Sequence, residues 1–191
     1  NGTLRLQSVE PTWNIKMVKA PDFWAAEPDT KDRGQNVKIA IIDSGVQYNL
    51  PDLQHRVIDG VEVGYMGGYD FASDPPDPDP VDDLGHGTMV ASIAVAQGVN
   101  DVPGKTYIGV APRAQYFALK VFRSDETWRL QWELNAIQWA IDNGADVINL
   151  SFGGPFYQGE FDKCYTTYRL GIVVVGSAGN DGNDKWLYYP A

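Results

Sequence analysis

Several polar segments of this 191-residue chain stand where apolar runs begin or end. Asp43 follows VKIAII and opens Asp43-Ser44-Gly45, while His86 lies in Gly85-His86-Gly87-Thr88, just ahead of MVASIAVAQ. Ser151 to Gly154 follow DVINL, and Ser177 to Asn180 follow GIVVVG. A carboxylate held on a rigid strand end can fix the tautomer of an imidazole and stabilise its charged form, and a histidine between glycines can be approached closely by a substrate. Together these meet the needs of general-base catalysis. Taken singly, each has a structural alternative: the aspartate can cap a helix, and the histidine can bond to backbone.

The elements that must position them are legible as patterns. VKIAII is a continuous β-branched run, the signature of a strand buried on both faces, so Asp43 falls at the carboxyl end of a central strand. Small and apolar residues after GHGT predict a helix packed closely on a sheet, with His86 at its amino end. Further strands are predicted at residues 116–121, 146–150 and 171–176. Between two of them, residues 130–144 carry apolar positions 130, 134, 137 and 141 and end in Gly144, a helix with a C-cap glycine. Strands alternating with helices predict an α/β fold, a doubly wound and mostly parallel sheet with helices on both faces. In such sheets ligands bind beyond the carboxyl ends of strands, where Asp43, residues 151–154 and residues 177–180 lie. Residues 1–36 read as an arm with a short helix on that core, residues 37–191 as the core of a single domain, and residues 47–84 as a loop ending in the tract SDPPDPDPVDD.

With 25 acidic against 15 basic residues, a net charge of −10 and no block of lysine or arginine, the sequence gives no support for a phosphate-binding surface, and nucleic acid is not expected as a partner. No apolar run approaches the roughly 20 residues of a membrane span, and the N-terminal residues lack a signal-like apolar stretch. Cys164 is the lone cysteine, so no internal disulfide forms and an idle thiol is expected.

The segments IAIIDSGVQYNLPDL, LGHGTMVASIAV, IGVAPRAQYFALKVF, ADVINLSFGG and GIVVVGSAGNDG, in this order, resemble the successive signatures of the subtilisin-like serine proteases, the subtilases. The likeness runs from about Glu10 to the closing YPA. It implies a serine endopeptidase acting on extended polypeptide, with Asp43 orienting His86, His86 as general base, and the Asn180 amide stabilising the oxyanion. It also implies that Ser151, Phe152, Gly153 and Gly154 pair with substrate and wall the primary pocket, with Ser177, Ala178 and Gly179 opposite. The family's nucleophilic serine lies in a Gly-Thr-Ser-Met-like segment that has no match here; Ser44, Ser92, Ser151 and Ser177 belong to other motifs. Two expectations follow: the chain alone is inactive, and its sheet is incomplete at the C-terminus. The serine then comes from a second chain or a C-terminal continuation, and an inactive protein-binding module on the same fold is the competing class.

Where the family usually carries a glycine- and serine-rich stretch, this chain has RSDETW, in which Asp125, Glu126 and Trp128 either narrow the cleft and favour basic substrate residues or form a solvated loop. Asp70, Asp74, Asp77 and Asp79 offer hard oxygen ligands for a structural calcium; no cofactor is expected for the chemistry. The resemblance further implies an extracellular location and a propeptide or protein inhibitor as partner. The sequon at Asn149 falls on a buried strand end, and the one at Asn1 is compatible with glycosylation.

Overall fold

The computed structural model describes residues 11–26, 33–99, 107–182 and 188–190. The elements run α1 (Trp13–Met17), α2 (Ala20–Ala26), β1 (Lys38–Asp43), β2 (Arg56–Ile58), β3 (Val61–Asp70), α3 (His86–Val95), β4 (Gln115–Lys120), α4 (Leu130–Asp142), β5 (Val147–Leu150), α5 (Gln158–Arg169) and β6 (Val173–Gly176). One sheet takes the order β2-β3-β4-β1-β5-β6, parallel throughout except that β2 runs against β3. The fold is the α/β, doubly wound arrangement expected, built on β1 with β4 on one side and β5 on the other.

Successive side chains of β1 point to opposite faces. Ala40 and Ile42 join one core with Phe117, Leu119, Ile137 and Ala140, beneath α4. Ile41 joins the other with Val46, Leu53, Ala91, Val95 and Tyr116, beneath α3. Both faces are therefore covered, which explains the unbroken apolar run of VKIAII. Within residues 1–36 the described part forms two helices rather than one, and α2 is pinned by the Trp24 indole donating to the Val110 carbonyl at 3.0 Å.

Residues 47–84 are not loop throughout. They contain β2 and the ten-residue β3, which pairs in parallel with β4 and carries a register shift between Tyr65 and Gly67. The glycines at 64, 67 and 68 hide this strand from its sequence: they interrupt the side-chain alternation that signals a strand, and they mark a bulge and a close backbone approach instead.

Candidate active site

Asp43 ends β1 with a side chain only 2% exposed, whereas the ring of His86, the first residue of α3, is 43% exposed. Their contact, His86 Nδ1 to Asp43 Oδ1, is 2.8 Å. An ionised carboxylate only accepts, so Nδ1 carries the hydrogen and Nε2 keeps the basic lone pair. Asp43 Oδ1 also accepts the Ser44 amide at 2.7 Å, while Oδ2 is buried without a hydrogen bond. Burial pushes the Asp43 carboxyl up, against the opposing bonds from His86 and Ser44.

This approach depends on Gly87. A Cβ there would run into the Gly45 carbonyl oxygen and crowd the Asp43 side chain at 3.1 Å, so only glycine lets the first turn of α3 lie on the end of β1. The turn is held by Asp82, which sequence reasoning left in the acidic tract. Its Oδ1 accepts the amides of Leu84 and Gly85 and the Ser44 hydroxyl, and its Oδ2 accepts the Thr88 amide at 2.8 Å and the Thr88 hydroxyl. Burial pushes the Asp82 carboxyl up, but these bonds together hold it below the usual carboxylate range. Ser44 closes the link by accepting the Gly87 amide at 2.9 Å. From the adjacent strand end, buried Lys120 donates to the Ser44 carbonyl at 2.8 Å and to Asp83 at 2.5 Å. A signal for Asp82 was present, an acid three residues before Gly85 and six before Thr88, but four other aspartates in the tract obscured it.

Residues 151–154 and 177–180 leave β5 and β6 side by side at the carboxyl edge that also carries Asp43. The Ser177 hydroxyl ties the two segments by donating to the Phe152 carbonyl at 2.9 Å. Tyr188 packs between them: a Cβ on Gly153 would meet Tyr188 Cβ at 2.7 Å, and one on Gly179 would meet its ring. A Cβ on Gly154 would enter open space, so that position leaves room beside the segment. Ala178, Gly179 and Asn180 are exposed in the turn after β6, two strands from Asp43 in the sheet.

Three of the four aspartates expected to ligate calcium accept hydrogen bonds within the chain. Asp70 Oδ1 takes the amides of Ala72 and Ser73, Asp77 Oδ1 takes the Asp79 amide, and Asp79 Oδ1 takes the Tyr48 hydroxyl, with Asp74 exposed. Among the described residues no group of three or more His, Cys, Asp or Glu is arranged to hold a metal. Asp125 and Glu126 are exposed, whereas Trp128 packs half-buried on the core. Burial pushes the Cys164 thiol up to about 12, with the charges of Glu160 and Glu133 adding to it, which leaves it protonated and inert. Asn149 sits on β5 with its amide donating to Ser151 Oγ, and Asn1 lies outside the described residues. No helix among the described residues is long and apolar enough to cross a membrane.

A family model described as the subtilase family matches residues 34–191. The chain is 38% identical over 187 residues to subtilisin E of Bacillus subtilis (strain 168), which covers 94% of this chain and 43% of that protein. It is 34% identical over 185 residues to the major intracellular serine protease of the same organism, covering 93% of this chain and 53% of the relative. To the minor extracellular protease Epr it is 33% identical over 181 residues, 94% of this chain and 25% of the relative. The chain thus spans about half or less of these relatives.

Proposed function

Because this chain belongs to the subtilase family, we propose that the protein is a serine endopeptidase cleaving extended polypeptides, with the nucleophilic serine contributed from outside these 191 residues. The observation that carries the reading is the 2.8 Å contact between exposed His86 and buried Asp43. In this reaction His86 Nε2 takes the proton of the serine hydroxyl as its oxygen attacks the scissile carbonyl carbon. Asp43 holds the imidazole in the required tautomer and stabilises the imidazolium without itself taking the proton. The Asn180 amide donates to the oxyanion of the tetrahedral intermediate; one such donor, measured in subtilisin itself, is worth about 3 kcal/mol. His86 then returns the proton to the departing amine, and water repeats the sequence on the acyl-enzyme.

Substrate lies as an added strand along residues 151–154. Gly153 supports this role: neither its amide nor its carbonyl is engaged by a described residue. Residues 177–179 form the facing wall of the pocket. Relatives named for both compartments occur, so the reading concerns chemistry rather than location.

Labelling of the full-length protein by a fluorophosphonate, followed by peptide mapping, tests this. A labelled serine outside residues 1–191, with labelling lost in His86→Ala, is the expected result. No label, combined with undiminished binding of an extended peptide, would overturn it in favour of a binding module.

A further inference from the structure

Beside residues 153–155 opens a cavity of about 340 Å³ whose walls are aromatic and whose floor is acidic. Phe122, Trp128, Phe152 and Tyr157 supply rings, with Phe122 and Phe152 edge to face at 5.1 Å and Trp128 and Tyr157 tilted at 6.0 Å. Glu133 from α4 and Glu160 from the first turn of α5 supply the acids, and they are 0% and 3% exposed.

This floor is unusual because no cation among the described residues neutralises it. Glu160 and the Trp128 indole are the polar neighbours of Glu133, yet neither Glu133 oxygen nor the indole nitrogen reaches hydrogen-bond geometry with any described group. The described cations of the adjoining segments are committed elsewhere. Arg123 donates to the Ala72 carbonyl at 2.6 Å and lies over Trp132, Arg129 stacks on the same ring at 4.9 Å, and Lys163 donates to Gln138 at 2.6 Å. Burial pushes the Glu133 carboxyl up to about 9, with the Glu160 charge adding to it, so Glu133 holds its proton at neutral pH. A buried carboxyl with both oxygens unbonded, as in Glu133, costs stability that an apolar side chain would not.

A guanidinium or ammonium suits this geometry. Its flat or apolar surface stacks on the rings, and its donors meet the carboxylates in charge-assisted bonds. We propose that the cavity receives an arginine or lysine side chain of the polypeptide lying along residues 151–154, so that the protein selects substrates by a basic residue. The choice of ligand as a substrate side chain rests on the protease reading above. Arginine fits best, since its fork can bridge Glu133 and Glu160.

The test uses the full-length protein and fluorogenic peptides in which each position in turn is arginine, lysine, glutamine or norleucine. One position is expected to favour arginine over norleucine by about tenfold or more in kcat/KM, a modest yield for a charge-assisted contact. In Glu133→Gln and in Glu160→Gln that ratio is expected to fall toward one, with circular dichroism reporting that the variants fold; Glu133→Leu serves if either does not. Cleavage without a basic preference at any position, or a preference that survives both substitutions, would overturn the inference while leaving the protease reading intact. If no peptide is cleaved, the protease reading fails instead, and calorimetric titration with arginine and norleucine peptides decides the cavity: equal affinities sink it, tighter arginine binding sustains it.

Discussion

In the proposed reaction the buried carboxylate behind the exposed ring divides labour between Asp43 and His86, and their substitution should show that division. Asp43→Asn replaces an obligate acceptor with an amide that can donate to Nδ1, which favours the wrong tautomer and should lower kcat by about 10⁴-fold with little change in KM. His86→Ala removes the base itself and should cost about 10⁶-fold, the magnitude measured in subtilisin, where triad members act as a unit. Steady-state kinetics on the full-length protein separates the two, and equal losses would contradict the assigned roles. Both residues were legible because each is polar where an apolar run starts or ends. Glu133 was not: a glutamate one place before Leu134 reads as the solvent side of an apolar stripe, yet α4 buries Glu133, Ala136, Ile137 and Ala140 most deeply and leaves Leu130, Leu134 and Ile141 half-buried. Tertiary packing by α5 overrides the pattern there.

At the scale of elements, the site exists because the start of α3 is fastened to the end of β1. Asp82 accepts from Leu84, Gly85, Ser44 and both polar groups of Thr88, so Asp82→Ala strands several donors at once and should destabilise the fold by about 2–3 kcal/mol. Because the folded Asp82 carboxyl sits below its ordinary value, its contribution is present above the ordinary carboxylate pKa and is lost as pH falls through the folded one. Melting temperatures across pH should therefore show wild type and Asp82→Ala well apart at pH 7 and converging below about pH 4. Gly87→Ala should be as damaging to activity as to stability, since the added carbon pushes His86 away from Asp43; full activity in this variant would contradict the packing described. Strands β1, β4, β5 and β6 and helix α4 were readable because each is a continuous run or a clear stripe. Strand β3 was not, since its glycines serve the bulge and the approach to β4 rather than the alternation.

For the whole molecule, the acid pair between α4 and α5 sets a dependence of stability on pH that runs opposite to that of Asp82. Glu160, Trp128, Cys164 and Tyr189 surround Glu133, and none is a cation. Its folded carboxyl, raised to about 9, holds a proton that the unfolded chain has already released, so this stability is fully present below the unfolded value and is lost as pH rises toward about 9. Glu133→Gln removes the titration. Relative to wild type it should gain on the order of 3 kcal/mol between pH 5 and pH 9, less than the full shift implies because local opening admits water. Parallel denaturation curves of the two proteins across that range would show that the acids do not titrate as buried groups. A cation in the cavity reverses the sign, because it favours the ionised pair that burial penalises. An arginine peptide should therefore raise the melting temperature of the wild type more at pH 8.5 than at pH 5, and should lose that advantage in Glu133→Gln, linking the cost of the buried acids to the proposed selectivity.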